Sequence, residues 1–509
     1  MGLARRGAAL TGALAIVLTS ATCGGARARL VSGAHVPGGA WAASLFQRAR
    51  AGAGGRHLAR VRPDGDRATR PVRRQPAAVP LASLVLMLDG VPWSVMDSLH
   101  GAGHFRGFAR PSAVLSPFPS LTTVAYRDIW RESPTPGYED RYFDIAQNRV
   151  RGGAWDVLSG REAQEGFHRH VDIEGAVLVS NLAYAFPQTL AAAEVNEVRD
   201  GIAAREGHDS VLVAYICTTD AVAHHQGRAA LVAMVLRIEA LVDEVRSRHP
   251  GLRVDIMSDH GNDFVPSHQL PVEADLARAG FRLTDRLERP GDVVVPRFGL
   301  VGSAAFYAAP QDRALLIRAL TAAEGVELAI WAEGDAVEVQ GPAGRARVDA
   351  DAGAGRLRYT PETGDPLGFE RVRERLRASG EMDTAGFAPD SAWLRESLAT
   401  PFADALRRLL VAFRGAVRNE ATVLVSFAPG GHFGDTLGDR LARMLGTHGS
   451  LRSASSTAFL MSTAPAAPLV LRSDEVLAYL PRAVQGTGVH YAAGAPALAR
   501  GASPTAAQR

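Results

Sequence analysis

The sequence of 509 residues contains no lysine, so all 56 of its basic residues are arginines. No lysine can therefore act as a nucleophile or as a clamp for phosphate in this protein. Cysteine is almost as scarce, with Cys23 and Cys217 as the two examples. Cys23 lies in a segment that we expect to be removed, so disulfides do not hold the fold together.

The positive charge of the chain is concentrated at its N-terminus. Residues 1–80 hold 13 of the 56 basic residues and 2 of the 53 acidic residues, which leaves 43 basic and 51 acidic residues for the rest. The sequence pI of about 9.0 therefore describes the N-terminal segment, and the remainder is acidic. This distribution argues against a nucleic-acid-binding domain, whose basic patch would lie on the fold itself.

Residues 1–30 have the pattern of an export signal. Arg5 and Arg6 precede an apolar stretch from Ala8 to Leu18, which is short for a bilayer span, and small residues follow. We expect a cleaved signal peptide and an exported protein, periplasmic or extracellular. A lipid anchor on Cys23 and an uncleaved N-terminal anchor are the alternatives, and both would associate the protein with a membrane or envelope.

A single large domain lies between two terminal segments of biased composition. Residues 31–80 are rich in Gly, Ala, Arg and Pro and predict a flexible basic linker. Residues 483–509 have a similar composition and predict a disordered tail. The catalytic domain is expected at 81–482, and its oligomeric state is not predicted.

Strand-like and helix-like segments alternate through the first part of this domain. Apolar runs ended by glycine or polar residues predict strands, and longer amphipathic stretches predict helices. The predicted strands are 84–88, 175–181, 211–216 and 254–261, and the predicted helices are 188–206 and 228–249. The alternation indicates an α/β fold with a mostly parallel central sheet and helices on both faces.

Two stretches depart from this alternation. Residues 131–175 are polar and aromatic and are broken by Pro and Gly, which predicts loops over the site with some helix. Residues 272–419, approximately, mix a helix with short alternating strands and predict an inserted, smaller α+β subdomain. The apolar run at 421–427 predicts the return of the chain to the main sheet.

Asp89 and Thr122 form the first candidate pair. Asp89 ends the buried run 84–88, and the functional edge of a parallel sheet lies where its strands end. Thr122 follows Pro119 in a predicted loop. A carboxylate can fix a metal ion that lowers the pKa of a hydroxyl, which makes Thr122 a candidate nucleophile. Taken singly, either residue is better explained as a cap of a turn or helix.

Further metal-ligand types follow later strands. Asp220 and His224 are four residues apart at the start of a helix, which puts them on one face. Asp259 and His260 end another strand, where Gly261 permits the chain to turn. His448 lies in the loop 446–450. Carboxylates and imidazoles in this combination suit zinc, and two neighbouring ions would suit a phosphoryl centre.

The order of these motifs resembles the alkaline phosphatase superfamily, and within it the nucleotide pyrophosphatase/phosphodiesterase-like branch. LDG, PSLT, DxxxHxxG, SDHG and GTHGS occur in that order over residues 83–463. The resemblance implies two divalent ions, expected to be Zn²⁺. One would be bound by Asp220, His224 and His448, the other by Asp89, Asp259 and His260. Thr122 would lie between the two ions, attack the phosphorus and form a phosphothreonine that is later hydrolysed.

The chain departs from the family pattern at several points. Ala125 stands where the phosphodiesterase branch often has an asparagine that holds a phosphate oxygen, and Thr123 or a backbone N–H would have to replace it. Sulfatases need a Cys or Ser in a CxPxR-like motif, which PSLTT lacks. Phosphonoacetate hydrolases bind the substrate carboxylate with lysine, and this chain contains no lysine. His432 in PGGHFGD is a rival to His448, and GTHGS matches the family motif better.

We therefore expect an exported metal-dependent hydrolase that acts on a small phosphoric ester or phosphoanhydride, with diesters preferred to monoesters. The expectation of diesters depends on the scarcity of cationic residues near Thr122 and on the aromatic residues Phe118, Tyr126 and Trp130, which would suit a second organic substituent. The alternatives are a phosphomonoesterase or phosphonate hydrolase of the same superfamily, and a catalytically inactive protein that binds at the cell envelope.

Overall fold

The computed structural model describes residues 79–153, 166–175, 187–297, 299–434 and 443–485. The predicted signal peptide, the linker up to residue 78, nearly all of the predicted strand at 175–181, and the tail from residue 486 lie outside the described residues. Among those described, no helix combines the length and apolar character needed to cross a membrane.

The described residues form twenty strands, and the strands from β9 onward follow one another more closely than those before them. In chain order the strands are β1 Ser83–Leu88, β2 Ser112–Leu115, β3 Arg141–Asp144, β4 Arg149–Gly152, β5 Ile173–Glu174, β6 Val211–Ile216, β7 Arg253–Ser258, β8 His268–Gln269, β9 Arg282–Leu283, β10 Asp292–Val294, β11 Ser303–Ala308, β12 Val326–Glu333, β13 Ala336–Gly341, β14 Gly344–Asp351, β15 Arg356–Gly364, β16 Phe387–Pro389, β17 Val423–Phe427, β18 Gly431–His432, β19 Thr457–Ser462 and β20 Val470–Arg472.

Helices of very different length connect these strands. In chain order they are α1 Trp93–Gly101, α2 Thr122–Ile129, α3 Pro187–Arg205, α4 Thr218–Arg248, α5 Val272–Arg278, α6 Arg313–Thr321, α7 Glu370–Ala378, α8 Asp390–Ser397, α9 Ala405–Ala412, α10 Ser453–Ser456, α11 Ser473–Val476 and α12 Arg482–Gln485. Short 3₁₀ turns cover Phe167–His170, Pro310–Asp312 and Leu477–Tyr479.

The first sheet contains seven strands in the order β20-β2-β19-β7-β1-β6-β5. β1 lies between β7 and β6 and pairs in parallel with both, while β19 runs antiparallel to both of its neighbours. Consecutive residues of β1 pack on opposite faces of the sheet. Leu86 lies in an apolar cluster with helices α1, α3 and α4, and Met87 lies in one with helix α2. The predicted α/β fold, a mostly parallel sheet with helices on both faces, is confirmed.

The second sheet contains nine strands in the order β16-β15-β14-β13-β12-β17-β11-β10-β9 and is mostly antiparallel. Its strands and helices α5 to α9 account for most of the predicted α+β insertion. Neighbouring residues of β12 also pack on opposite faces of their sheet. Ile330 lies in an apolar cluster with helices α7 to α9, and Trp331 lies in one with α5 and α6.

The prediction that the run at 421–427 returns to the main sheet is wrong. β17 pairs antiparallel with β11 and β12 inside the second sheet, and the chain rejoins the first sheet at β19. A continuous apolar run indicates a strand that is buried on both faces, but it carries no information about which sheet surrounds that strand.

One local prediction also needs correction, and another is confirmed. Residues 131–175 include the hairpin of β3 and β4 as well as loops and the 3₁₀ turn Phe167–His170. The helix predicted from Arg228 is present as the second part of α4, which begins after a break at Gly227, whose φ is 75°. The break separates the short N-terminal segment that carries Asp220 and His224 from the long amphipathic part that the sequence pattern reveals.

Candidate metal centre

Three parallel strands end side by side and deliver carboxylates to one edge of the first sheet. Leu88 of β1 is in register with Ile216 of β6 and with Ser258 of β7. Asp89 and Asp259 follow directly after two of these strands, and α4 starts just after the third. The carboxyl ends of parallel strands are where α/β proteins bind ligands, so the register itself assembles the site.

Gly90 allows the backbone after Asp89 to lie close to the side chains of Asp220 and Asp259. Its φ of +64° lies in the left-handed region that favours glycine, and a Cβ at this position would lie 2.5 Å from Oδ1 of Asp220. Its N–H donates to Oδ1 of Asp259 over 3.0 Å. Gly261, by contrast, is needed for close approach to the backbone of Ala454 and Thr457 and has no left-handed φ, so its predicted role as a turn residue is wrong.

The first predicted ligand group lies at the start of α4. Asp220 and His224 are buried, and Oδ1 of Asp220 lies 3.1 Å from Nε2 of His224 and 3.9 Å from Nε2 of His448. Buried Glu194 of α3 fixes the beginning of α4, because its carboxylate accepts hydrogen bonds from the N–H groups of Cys217 and Thr218. The ligand atoms of Asp220, His224 and His448 lie within 4.8 Å of one another.

The second predicted group lies around His260. Nε2 of His260 is 3.4 Å from Oδ1 of Asp89 and 3.3 Å from Oδ2 of Asp259. Asp89, Asp220 and His260 also bring their ligand atoms within 4.8 Å of one another, so Asp220 lies close to both groups. The ring of His260 stacks on that of His448 at a centroid distance of 3.7 Å.

Thr122 lies at the second group. Its Oγ1 donates to Oδ1 of Asp89 over 3.2 Å and is 3.3 Å from Nε2 of His260. Thr122 is the first residue of α2 rather than part of a loop, which corrects the prediction. No side chain caps this end of the helix within the described residues, so the first-turn N–H groups remain available to an anion. Thr123, the neighbour, donates to Oδ1 of Asp140 over 3.0 Å.

All three histidines present the same nitrogen to the acids. Nδ1 lies 2.8 Å from the carbonyl of Gly446 in His224, 2.9 Å from that of Ser120 in His448, and 3.0 Å from that of Gly261 in His260. A carbonyl only accepts, so each Nδ1 carries a hydrogen, and each Nε2, once deprotonated, has a lone pair directed at the carboxylates. Metal-binding histidines are oriented in this way.

The pKa values at this centre are strongly perturbed. Although burial opposes its ionisation, His224 and His448 hold the pKa of Asp220 well below its usual range. Burial raises the pKa of Asp259 to about 7, and Asp259 and Asp89 overcome burial to raise that of His260 to about 10. Without a cation, protons compensate the buried carboxylates, and a metal ion would displace those protons.

The residues present fit a metal ion. Oδ2 of Asp259 is buried and has no hydrogen-bond donor among the described residues, although burying an unsatisfied carboxylate oxygen is costly. It lies 3.3 Å from Nε2 of His260, whose raised pKa means that a proton compensates the carboxylate in the metal-free protein. A metal ion would replace that proton, and carboxylate oxygen with imidazole nitrogen is a donor set of zinc sites.

The rival histidine lies in a different environment. His432 is buried in the short strand β18, where its Nδ1 lies 2.9 Å from Oγ of Ser267. It belongs to neither ligand group, whereas the loop of His448 is bridged, between Ser120 and Gly449, to the segment that precedes Thr122.

The structure adds Tyr215, which the sequence did not single out. Its hydroxyl donates to Oδ2 of Asp89 over 2.6 Å. Tyr215 belongs to the apolar strand β6, where an aromatic residue is an ordinary component of the core, so the pattern gave no functional signal.

The aromatic residues expected to line a substrate pocket are core residues. Phe118, Tyr126 and Trp130 are all fully buried, the first in the cluster under the second sheet and the other two under the first sheet. Arg127, a cationic residue close to Thr122 in the sequence, donates to the carbonyls of Ser133 and Gly415.

Comparisons with known proteins return structural similarity alone. No family model matches the chain, and no curated protein matches it. Human ectonucleotide pyrophosphatase/phosphodiesterase 5 is similar with a TM-score of 0.44 and 10% identity, over 79% of this chain and 94% of that one. The inactive Thr-to-Ala variant of the murine enzyme in complex with AMP gives a TM-score of 0.45 and 9% identity, over 81% and 97%.

Phosphonoacetate hydrolase from Sinorhizobium meliloti 1021, in complex with phosphonoformate, gives a TM-score of 0.41 and 12% identity, over 81% of this chain and 96% of that one. These proteins belong to the superfamily that the ordered motifs resemble. At these identities and TM-scores a shared activity does not follow from the similarity, and function has to be argued from the site.

Proposed function

We propose that this protein is a metal-dependent hydrolase of phosphoric esters with Thr122 as its nucleophile. The observation that carries the proposal is the position of Oγ1 of Thr122, 3.2 Å from Oδ1 of Asp89 and 3.3 Å from Nε2 of His260. A hydroxyl held against the donor atoms of a metal group, at the open end of a parallel sheet, is arranged for nucleophilic attack.

Two zinc ions would be held by the chain's own side chains. Asp220, His224 and His448 would hold one ion, and Asp89, Asp259 and His260 the other. When bound, such ions lower the pKa of a nearby hydroxyl and offset the negative charge that builds up at the phosphorus. Asp220 lies near both groups and would link them.

The residues around Thr122 would then divide the remaining tasks. Oγ1 of Thr122 attacks the phosphorus, the bond to the leaving oxygen breaks, and a phosphothreonine forms that water later hydrolyses. The first N–H groups of α2 would receive a phosphate oxygen and so replace the side-chain amide that Ala125 cannot supply. Tyr215 orients Asp89 through its hydrogen bond to Oδ2.

Diesters are the substrates that this charge balance favours. A monoester brings two negative charges and a diester one, and the chain has no lysine to meet the second charge. Arg127 is engaged by two carbonyls, and Nη1 of Arg141 is 3.4 Å from the carbonyl of Arg297. Phe118, Tyr126 and Trp130 are buried and therefore cannot contact the second organic substituent of a diester, so the proposed preference for diesters depends on charge alone.

The test compares kcat/KM for bis(p-nitrophenyl) phosphate and p-nitrophenyl phosphate on the zinc-loaded protein. We expect a preference for the diester of at least about tenfold. A clear preference for the monoester would move the protein to the phosphatase alternative, and turnover of neither would favour a phosphonate substrate or an inactive envelope protein. Phosphonoacetate as a third substrate distinguishes the last two.

Export remains part of the proposal and depends on residues 1–30. Expression of the full chain in a bacterial host, followed by fractionation and N-terminal analysis of the mature protein, tests it. Cleavage before residue 31 with release into the periplasm or medium supports a signal peptide. Lipid on Cys23, or an intact N-terminus in the membrane fraction, would support one of the anchors instead.

A further inference from the structure

A short 3₁₀ turn, Phe167–His170, is clamped beside the metal centre by residues on both of its sides. Phe167 packs between the rings of Tyr126 and Tyr215, at centroid distances of 4.7 and 5.3 Å. Nε2 of His170 is 2.7 Å from Oε1 of buried Glu132, and its ring stacks on Trp130 at 4.5 Å. Arg169 also donates to Oε1 of Glu132, so the turn is held at three of its residues and presents the remaining side chain in a fixed position.

That remaining side chain, His168, lies on the rim of the candidate centre. Its ring is 6.2 Å from the ring of Tyr215, whose hydroxyl holds Asp89. It is also within electrostatic range of Asp140, whose carboxylate accepts from Thr123 next to the nucleophile. His168 is 42% exposed, so the imidazole is accessible from solvent as well.

One nitrogen of His168 is fixed and the other is open. Nδ1 lies 2.8 Å from Oε2 of Glu174, which makes Nδ1 the protonated nitrogen in that pair. Within the part of the chain that the structure describes, no hydrogen bond is made by Nε2. The imidazole is thus oriented by a carboxylate from one side, while its second nitrogen can contact another molecule.

We propose that His168, oriented by Glu174, is a substrate-recognition residue that donates a hydrogen bond from Nε2 to an anionic oxygen on the organic substituent of the ester. The proposal rests on the proposed function. A tyrosine side chain separates His168 from Asp89, so the residue contacts atoms beyond the phosphorus rather than the reacting oxygens. The substrate class is therefore a diester whose retained substituent carries a carboxylate or a further phosphoryl group.

Electrostatics keep His168 in its donating form. Although partial burial opposes protonation, the hydrogen bond and charge of Glu174, together with Asp140 and Glu132, raise the pKa of His168 above its usual value. Tyr215, the other titratable group packed against the imidazole, has a pKa that burial raises well above its usual range and stays neutral. The recognition contact is therefore expected below the raised pKa of His168 and is lost as the pH rises through it.

The experiment uses two diesters with the same leaving group, methyl p-nitrophenyl phosphate and carboxymethyl p-nitrophenyl phosphate. The zinc-loaded wild-type protein should favour the carboxymethyl ester in kcat/KM, and His168→Gln should lower that ratio about tenfold. Glu174→Gln should lower it in the same direction by releasing the imidazole. His208→Gln is the matched control, because His208 is exposed and precedes β6 at the end of the sheet opposite the site.

The pH dependence of the same ratio adds a second readout. The wild-type ratio should fall as the pH rises through the raised pKa of His168, and the ratio of His168→Gln should stay constant, because both esters share every other titrating group of the site. Turnover of both esters with an unchanged ratio in His168→Gln would overturn this inference and leave the proposed function intact. Absence of turnover of either ester by the wild-type protein would overturn both.

Discussion

Oδ1 of Asp220 lies 3.1 Å from Nε2 of His224, one helical turn further along α4. This pair connects the local sequence spacing with the site, because the four-residue interval places the two side chains on one face and Glu194 fixes the start of the helix beside Asp89. His448 then reaches the same carboxylate from a distant loop. The predictions below test whether these contacts bind metal and serve the proposed reaction.

Thr122→Ala should abolish turnover of phosphodiesters while the protein stays folded and keeps most of its metal. The expected loss in kcat is several orders of magnitude, as for other covalent nucleophiles. Thr123→Ala is the control, since Thr123 donates to Asp140 rather than to the metal ligands. Near-native rates in Thr122→Ala, combined with an inactive Thr123→Ala, would move the nucleophile by one residue.

Replacing His448 by Ala should remove about one metal ion per chain, because Nε2 of His448 faces Asp220 and His224. Asp220→Ala and His224→Ala should lower the metal content in the same way. His432→Ala is the matched control and should retain the wild-type metal content, as His432 contacts Ser267 instead. Loss of metal from His432→Ala alone would make it the third histidine ligand.

Gly90→Ala should weaken metal binding without unfolding the protein. The new Cβ would lie 2.5 Å from Oδ1 of Asp220 in a backbone conformation with φ of +64°, so the carboxylate has to move. We expect a loss of about 1–3 kcal/mol in stability from the strained backbone together with a reduced metal affinity. Gly103→Ala is the control, because its φ of +90° imposes similar strain where the nearest side-chain atom is 3.9 Å away. Equal metal affinity in both variants would show that Gly90 has no role in placing Asp220.

The metal-free protein should lose stability as the pH rises from 6.5 to about 10. The folded-state pKa of His260 is raised from 6.5 to about 10, so this group stabilises the folded state below pH 6.5 and loses that contribution as the pH rises through its folded-state value. The raised pKa of His224 acts with the same sign. Thermal melts in a chelator should show a falling Tm across this window, and the fall should be smaller in His260→Gln. A Tm of the wild-type protein that rises with pH would contradict the assignment of charge at His260.

Removal of residues 1–78 should leave a folded and active protein. The chain from Val79 onward forms a compact unit, and the cut spares the hydrogen bond from the N–H of Val79 to the carbonyl of Gly207. Circular dichroism and diester turnover of the truncated protein would test this. A truncated protein that does not fold would mean that the N-terminal segment contributes to the core.

Local patterns predicted three strands of the first sheet, β1, β6 and β7, and singled out the candidate ligands. Asp89 and Asp259 could be found because each follows an apolar strand. Asp220 and His224 could be found because residues four apart lie on the same face of a helix. Long-range pairing is what the patterns lack. β17 has the composition of any doubly buried strand, so the sequence does not show which sheet contains it. Tyr215 shares an apolar strand with ordinary core residues, so the sequence does not show that its hydroxyl contacts Asp89.

The central claim is that two metal ions bind among Asp89, Asp220, His224, Asp259, His260 and His448. Its most direct test is elemental analysis of the purified full chain after dialysis against buffer containing trace zinc. The account predicts about two zinc ions per chain in the wild-type protein and about one in His448→Ala. A folded wild-type protein that retains no stoichiometric metal would contradict the account and support a protein without catalytic activity.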